Sequence, residues 1–352
     1  MQWRTHLRGC RLYRMDDSSS SDEEKIPPPT APERFSVSLR GFADSSAAER
    51  FGRLIGGVVR SISCHIDVER LDGITVAFDY DDALAELDRG YQESKPLTRT
   101  ATDKLVGVAM TPTVLREGIV KSHMIFNALH ILALEEDGTE AFRLAFYLVA
   151  HECGHVEDLK YMDLAFPGTI LRRQVTDPED ILLEPISDVL WQEYAASRAS
   201  AIFGKELKAI YEEALTLVLP SARERANEAI RAYRRHADLH RVMREAGGPL
   251  CEPLRAAAYL IGNLDGFGAD LGMAPCARDL LQASPYAGFV QRLASSLQEL
   301  WERRGQWSTP AEFDVLKNIV RDMLADAGII LHRQSNGGVY IDIPFTRDTM
   351  PI

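Results

Sequence analysis

The apolar run Leu144-Ala145-Phe146-Tyr147-Leu148-Val149-Ala150 leads without a break into His151-Glu152-Cys153-Gly154-His155. Few features constrain a fold more. This run reads as the core of a buried helix that starts near Thr139 or Glu140 and ends near Asp163, ahead of Phe166-Pro167-Gly168. Polar groups on such a helix need partners. Residues four apart share a helix face, so His151 and His155 can offer imidazole nitrogens to one ion. Glu152 falls about 60° of helical rotation from His155. Two neutral nitrogen donors beside a carboxylate that can take a proton from metal-activated water suit hydrolytic zinc chemistry, with Glu152 as general base. Gly154 costs roughly 1 kcal/mol relative to Ala inside a helix, which implies close approach of another element. The competing reading is a pair of core histidines satisfied by backbone groups.

His151, Glu152 and His155 match the HExxH motif of the zincin metallopeptidases. With Cys153-Gly154 the segment resembles the HExGH variant of small bacterial zincins, including the ImmA/IrrE type, and the chain is gluzincin-like if its third ligand is a glutamate. The likeness is specific at these five positions and extends at most over residues 74–203. It implies Zn2+ as cofactor, a peptide or protein substrate, and an edge strand ahead of the metal helix that pairs with the substrate backbone. That strand would be Lys121 to Phe126, with an ordinary interior strand as the alternative.

A hydrolytic zinc site takes three protein ligands and leaves one position open. The candidates for the third are Glu193, Glu184, Asp188, Asp158 and Asp163. A helix over Pro185–Phe203 would bury Ile186, Val189, Leu190, Glu193, Ala196, Ser200 and Phe203, so Glu193 is the acid centred on the apolar face. A carboxylate there is costly unless paired or metal-bound. Glu184 projects to the opposite side if the helix is unbroken, although Glu184-Pro185-Ile186-Ser187-Asp188 is similar to the Glu-x-x-x-Asp segment of thermolysin-like enzymes. Glu193 is the expected ligand. Tyr194, Arg198, Tyr161 and His123 stay open as oxyanion stabilisers, and His123 and His130 as assisting groups whose simpler role is structural.

The 352 residues carry a formal charge of −12, which argues against nonspecific nucleic-acid binding. The five cysteines are scattered, with no C-x-x-C pair, so neither a disulfide framework nor a cysteine zinc site is indicated and a reducing cytoplasm fits best. No apolar stretch approaches the roughly 20 residues that cross a bilayer. Residues 1–14 are arginine-rich and Met15-Asp16-Asp17 opens an acidic serine run, which reads as an upstream extension of a protein natively starting at Met15, with a basic targeting or binding arm as the alternative. Residues 1–33 are expected to be a disordered tail.

Helical spacing over Ala47–Ile62 and a short β-branched run at Ile74–Phe78 predict a helix and a strand. Asp81–Tyr91 is expected to be helical, and Leu105–Met110 and Ile119–Phe126 to be strands. Beyond the third-ligand helix the pattern predicts helices at Lys205–Leu219, Ser221–Ala246, Pro253–Leu264 and near Pro285–Arg304. The arginines Arg223 to Arg244 read as a solvated helix face, with an acidic partner as the alternative, and His236/His240 lack the setting of a second metal site. Thr309-Pro310-Ala311-Glu312 forms a capping box, Gly328 closes the following helix, and Asn336-Gly337 marks a hairpin. Helix and hairpin together could end a winged helix, but the balanced local charge favours a packing hairpin.

The expected architecture is α+β: a zincin-like metallopeptidase domain over 34–204, with a small sheet and the active-site helix, then a mainly α-helical domain over 205–352 ending in a β-hairpin. The functional expectation is a cytoplasmic zinc metallopeptidase with Glu152 catalytic and His151, His155 and Glu193 on the metal. A non-catalytic or regulatory zinc protein whose helical half binds a partner is the alternative.

Overall fold

The computed structural model describes residues 27–92, 96–100 and 106–350. The basic and acidic runs before residue 27, and Met15 with them, lie outside the described residues. The fold is α+β, with a small mixed sheet, many helices and a separate C-terminal hairpin. No helix among the described residues is long and apolar enough to cross a membrane.

The chain divides into two compact units. The first holds the described residues of Met1–Thr100, Gly107–Glu157 and Ile202–Gly204. It contains β1 (Ser36–Arg40), α1 (Ser45–Ile62), β2 (Leu71–Ala77), α2 (Tyr80–Ala85), β3 (Ala109–Met110), β4 (Thr113–Arg116), β5 (Ile119–Asn127), α3 (Ala128–Ile131) and the start of α4 (Glu140–Ala165). Asp44 caps α1 by accepting from the Ser46 amide. That helix buries Phe51, Ile55, Val58, Val59 and Ile62, the stripe its periodicity predicts. Thr30, within the expected tail, is anchored here: its amide donates to Ser63 O at 3.0 Å and its hydroxyl accepts from the Val68 amide at 3.0 Å.

β1, β2 and β5 run parallel, and β3 and β4 pair antiparallel with the far side of β5. This corrects the expected docking edge. Lys121 to Phe126 lie in an interior strand, Ile125 facing Thr75 on one side and Met110 on the other. The edge on that side is the β3–β4 segment, whose two pieces are joined by Thr111-Pro112 while Pro112 O accepts from the His123 amide at 3.0 Å. Asp81–Tyr91 is also less helical than expected, since α2 stops at Ala85.

A register shift between Leu71 and Gly73 sets Asp72 out of the β2–β5 ladder. The Asp72 carboxylate accepts from Arg116 Nε and Nη2 at 3.0 and 3.2 Å and from His123 Nδ1 at 3.0 Å. His123 Nε2 lies 2.9 Å from Thr75 Oγ1. Burial pushes the Asp72 carboxyl up, but the His123 hydrogen bond and the Arg116 charge outweigh it and hold the group below the usual carboxylate range.

The second unit holds the described residues of Ala101–Val106, Asp158–Ala201 and Lys205–Ile352. It contains the end of α4, then α5 (Pro178–Ser200), α6 (Lys208–His236), α7 (Leu239–Gly266), α8 (Pro275–Gln282), α9 (Ala287–Glu302), α10 (Asp314–Asp326), β6 (Ile330–Arg333) and β7 (Val339–Asp342). The sequence placed α5 with the sheet, whereas its buried residues Leu183, Leu190, Trp191, Tyr194 and Ala195 share one core with α6, α7, α9 and α10. Two glycines of α7 permit that packing. A Cβ on Gly262 would stand 2.4 Å from Tyr194 O, and one on Gly266 would stand 2.6 Å from Arg198 O.

Prolines end fewer helices than expected. α6 continues through Pro220 to a left-handed Ala237, and α7 runs through Pro249 and Pro253. Each proline forgoes a backbone hydrogen bond at about 3 kcal/mol, which burial of neighbours such as Leu215, Val218, Leu219 and Ala222 opposes.

The arginine run is solvated only in part: Arg235, Arg241 and Arg244 are exposed, whereas several α6 arginines are engaged within the unit. Arg223 pairs with Asp326, Arg225 with Glu252 at 2.7 Å, and Arg234 donates to the Ile343 and Pro344 carbonyls. The Thr309–Glu312 capping box forms, and Gly328 adopts φ +83° after α10. The hairpin pairs Ile330 with Asp342 and Arg333 with Val339. Arg333 binds Asp177 and Glu179 at the start of α5, each at 2.6 Å, so the hairpin packs against its own unit.

Candidate metal centre

α4 forms where the apolar run predicts, from Glu140 to Ala165, and carries His151, Glu152 and His155 in its middle turns. His151 and Glu152 are 6% and 5% exposed, and Cys153 and Gly154 are buried. The two imidazoles stand edge to face, ring centres 4.9 Å apart. α5 is unbroken from Pro178 to Ser200, and Leu190, Ala196 and Ser200 of the expected stripe are buried. Glu193, half-buried, meets the histidines: one donor atom from each of His151, His155 and Glu193 lies within 4.8 Å of the others. Among the described residues no other such group of histidine, cysteine and carboxylate donors occurs.

This donor set fits zinc. Two imidazole nitrogens and a carboxylate oxygen are borderline ligands of the kind tetrahedral zinc accepts, about 2.0–2.2 Å from the ion, and three leave a fourth position free. Two of the other candidate ligands, Glu184 and Asp158, are engaged elsewhere. Glu184 receives Arg173 at 2.6 Å and Lys317 at 3.5 Å. Asp158 accepts from Trp191 Nε1 at 3.0 Å. His236 Nδ1 accepts from the Asp238 amide at 2.9 Å, a local turn contact.

Glu152 has its own anchor. Thr111 Oγ1 donates to Glu152 Oε2 at 2.6 Å, so the edge segment between β3 and β4 grips the carboxylate beside the first histidine. Tyr80 of α2 is 2% exposed and its hydroxyl has no hydrogen-bond partner among the described residues. Burial, and then the negative charge of Glu152, push the Tyr80 phenol well above its ordinary value. Burial, reinforced by the charges of Glu152 and Glu157, does the same to the Cys153 thiol, which makes it an unreactive packing group. Sequence reasoning missed Thr111 and Tyr80. The break that Pro112 makes in a strand pattern was the available sign for Thr111; Tyr80 gave none.

The four oxyanion candidates have partners of their own. Tyr194 donates to Asp265 Oδ2 at 2.7 Å, and Arg198 reaches the Tyr194 hydroxyl and lies 4.8 Å over the Trp301 ring. Tyr161 lies under Arg304 at 4.3 Å, and His123 sits in the Asp72 network. His130 is exposed at the end of α3. No protein-family model, curated protein or solved structure matches the chain.

Proposed function

We propose that the chain is a zinc-dependent peptidase of zincin type, with His151, His155 and Glu193 holding the metal and Glu152 as general base. The observation that carries this reading is the convergence of the three donor groups within 4.8 Å, with Glu152 following the first of them in sequence. Zinc held there would supply Lewis acidity and a water acidified toward neutrality. Thr111 occupies Oε2 of Glu152, which leaves Oε1 to take a proton from the attacking water and return it to the departing amine. Burial of Glu152 and His151 keeps the charges that develop in a poorly screened setting, where each interaction is stronger than in water. A peptide backbone would align along the β3–β4 edge, in whose middle Thr111 grips Glu152.

Metal analysis by mass spectrometry on the full chain tests the reading. About one zinc per chain is expected in wild type and in Glu152→Gln and Glu184→Gln, with zinc lost in His155→Ala and Glu193→Ala. Glu152→Gln should also abolish cleavage of a peptide library that wild type cuts. Absence of zinc from wild type would overturn the proposal, and zinc with equal cleavage by Glu152→Gln would overturn the role of the base.

A further inference from the structure

α4 carries a third polar residue on the metal stripe. Asp158 follows His151 by seven positions and His155 by three, so all three lie along one face of the helix. It is 3% exposed. A buried carboxylate of this kind is costly unless its charge is met, and the groups that meet it include an indole and a guanidinium. Trp191 Nε1 donates to Oδ1 at 3.0 Å, and Arg304 Nη2 stands 3.8 Å from the same oxygen. Trp191 is 1% exposed and lies on α5, two residues before Glu193. Its ring is wedged edge-on against Trp307 and Phe313, at centroid distances of 5.3 Å each.

We infer that the Asp158–Trp191 hydrogen bond is a positioning clasp that sets the helix bearing the two histidines in register with the helix bearing Glu193. The inference rests on the zinc reading above. Each end of the clasp sits within about one helical turn of a proposed ligand, so an axial slip between the helices would separate Glu193 from the imidazoles and break this bond together. The indole is a suitable partner because its N–H is a single donor on a rigid, tightly packed ring, so it fixes distance and direction at once. Both residues act through the ligands and touch no substrate.

The test is zinc affinity of the full chain, measured by competition with a chromophoric chelator. Trp191→Phe keeps an aromatic ring and removes the donor. Trp307→Phe is the matched control, since it removes another buried indole N–H bond, to Leu300 O at 3.0 Å, from the same aromatic cluster. Trp191→Phe should weaken zinc binding roughly ten- to hundredfold, the range for loss of a group that orients a ligand, while Trp307→Phe binds as wild type. Asp158→Ala, which also removes the carboxylate beside Arg304, should weaken binding at least as much as Trp191→Phe, and the double variant should bind no more weakly than Asp158→Ala, because the hydrogen bond is already absent there. If Asp158→Ala fails to fold, the tryptophan pair decides alone. Wild-type affinity in Trp191→Phe, or equal losses in both tryptophan variants, would overturn the clasp while leaving the zinc site standing. A wild type that binds no zinc would overturn both.

Discussion

Replacing Gly262 by Ala should destabilise the protein although alanine is the better helix former. The added methyl would stand 2.4 Å from Tyr194 O and 3.1 Å from Ser197 Cβ. An ordinary carbon–oxygen contact is about 3.3 Å or more, so α5 and α7 would have to part by roughly 1 Å. Alanine returns about 1 kcal/mol of helix propensity, whereas overpacking a close-packed interior costs about 1–3 kcal/mol. The atom in the way is a backbone carbonyl and cannot rotate aside, which puts the cost in the upper part of that range. The net loss should be about 1–2 kcal/mol, or a melting temperature lower by about 2–4 °C per kcal/mol for a unit of this size. Gly57, on the exposed side of α1, is the counterpart: a Cβ there meets nothing within 4 Å. Gly57→Ala should stabilise its helix by about 0.5–1 kcal/mol. Urea melts followed by far-ultraviolet circular dichroism would read both. Gly262→Ala matching or exceeding wild type would show that the helices are not closely apposed there, and the reasoning would fail.

Two further outcomes follow from contacts in the first unit. The folded Asp72 carboxyl lies below its unfolded value near 3.9, so its stabilising effect is full above about pH 4 and is lost as pH falls through the lower folded value. Asp72→Asn should therefore be less stable than wild type at pH 5–7, with the gap closing in more acidic solution; a gap unchanged in strong acid would mean that the carboxylate charge is irrelevant. Thr111→Val keeps the side-chain shape but releases Glu152 Oε2. A hydrogen bond to a charged group is worth about 1.5 kcal/mol or more, so peptidase turnover should fall about tenfold with zinc content unchanged, and undiminished turnover would remove Thr111 from the site.

α4 was legible because two signals coincide in it: an apolar run fixes its burial and the i, i+4 histidines fix its face. The approach of Glu193 to the two histidines was legible for a related reason, since an acid on an apolar stripe has few places to go. What the stripe could not say is which surface covers it, and so α5 was grouped with the sheet instead of with α6, α7, α9 and α10. Proline misled in the same direction. Pro220, Pro249 and Pro253 read as local stops, but contacts from residues far away in sequence decide whether a helix survives them. β1 was missed because Ser36-Val37-Ser38-Leu39 offers only two apolar residues and gains its pairing from β2. Interior and edge strands look alike in sequence, so Lys121–Phe126 could be read as an edge until β3 and β4 were seen on its far side.

The aromatic cluster around Trp191 makes the second unit its own optical reporter. All three tryptophans among the described residues, Trp191, Trp301 and Trp307, lie in it, with Trp191 5.3 Å from Trp307 and 6.4 Å from Trp301. Indoles this close transfer excitation to one another, and an adjacent carboxylate and guanidinium shift their emission. Replacing Trp3, outside the described residues, by Phe would leave tryptophan-selective excitation reporting on the helices around Glu193 alone. The loosening of that unit, and the arrival of an ion beside it, could then be followed without any label.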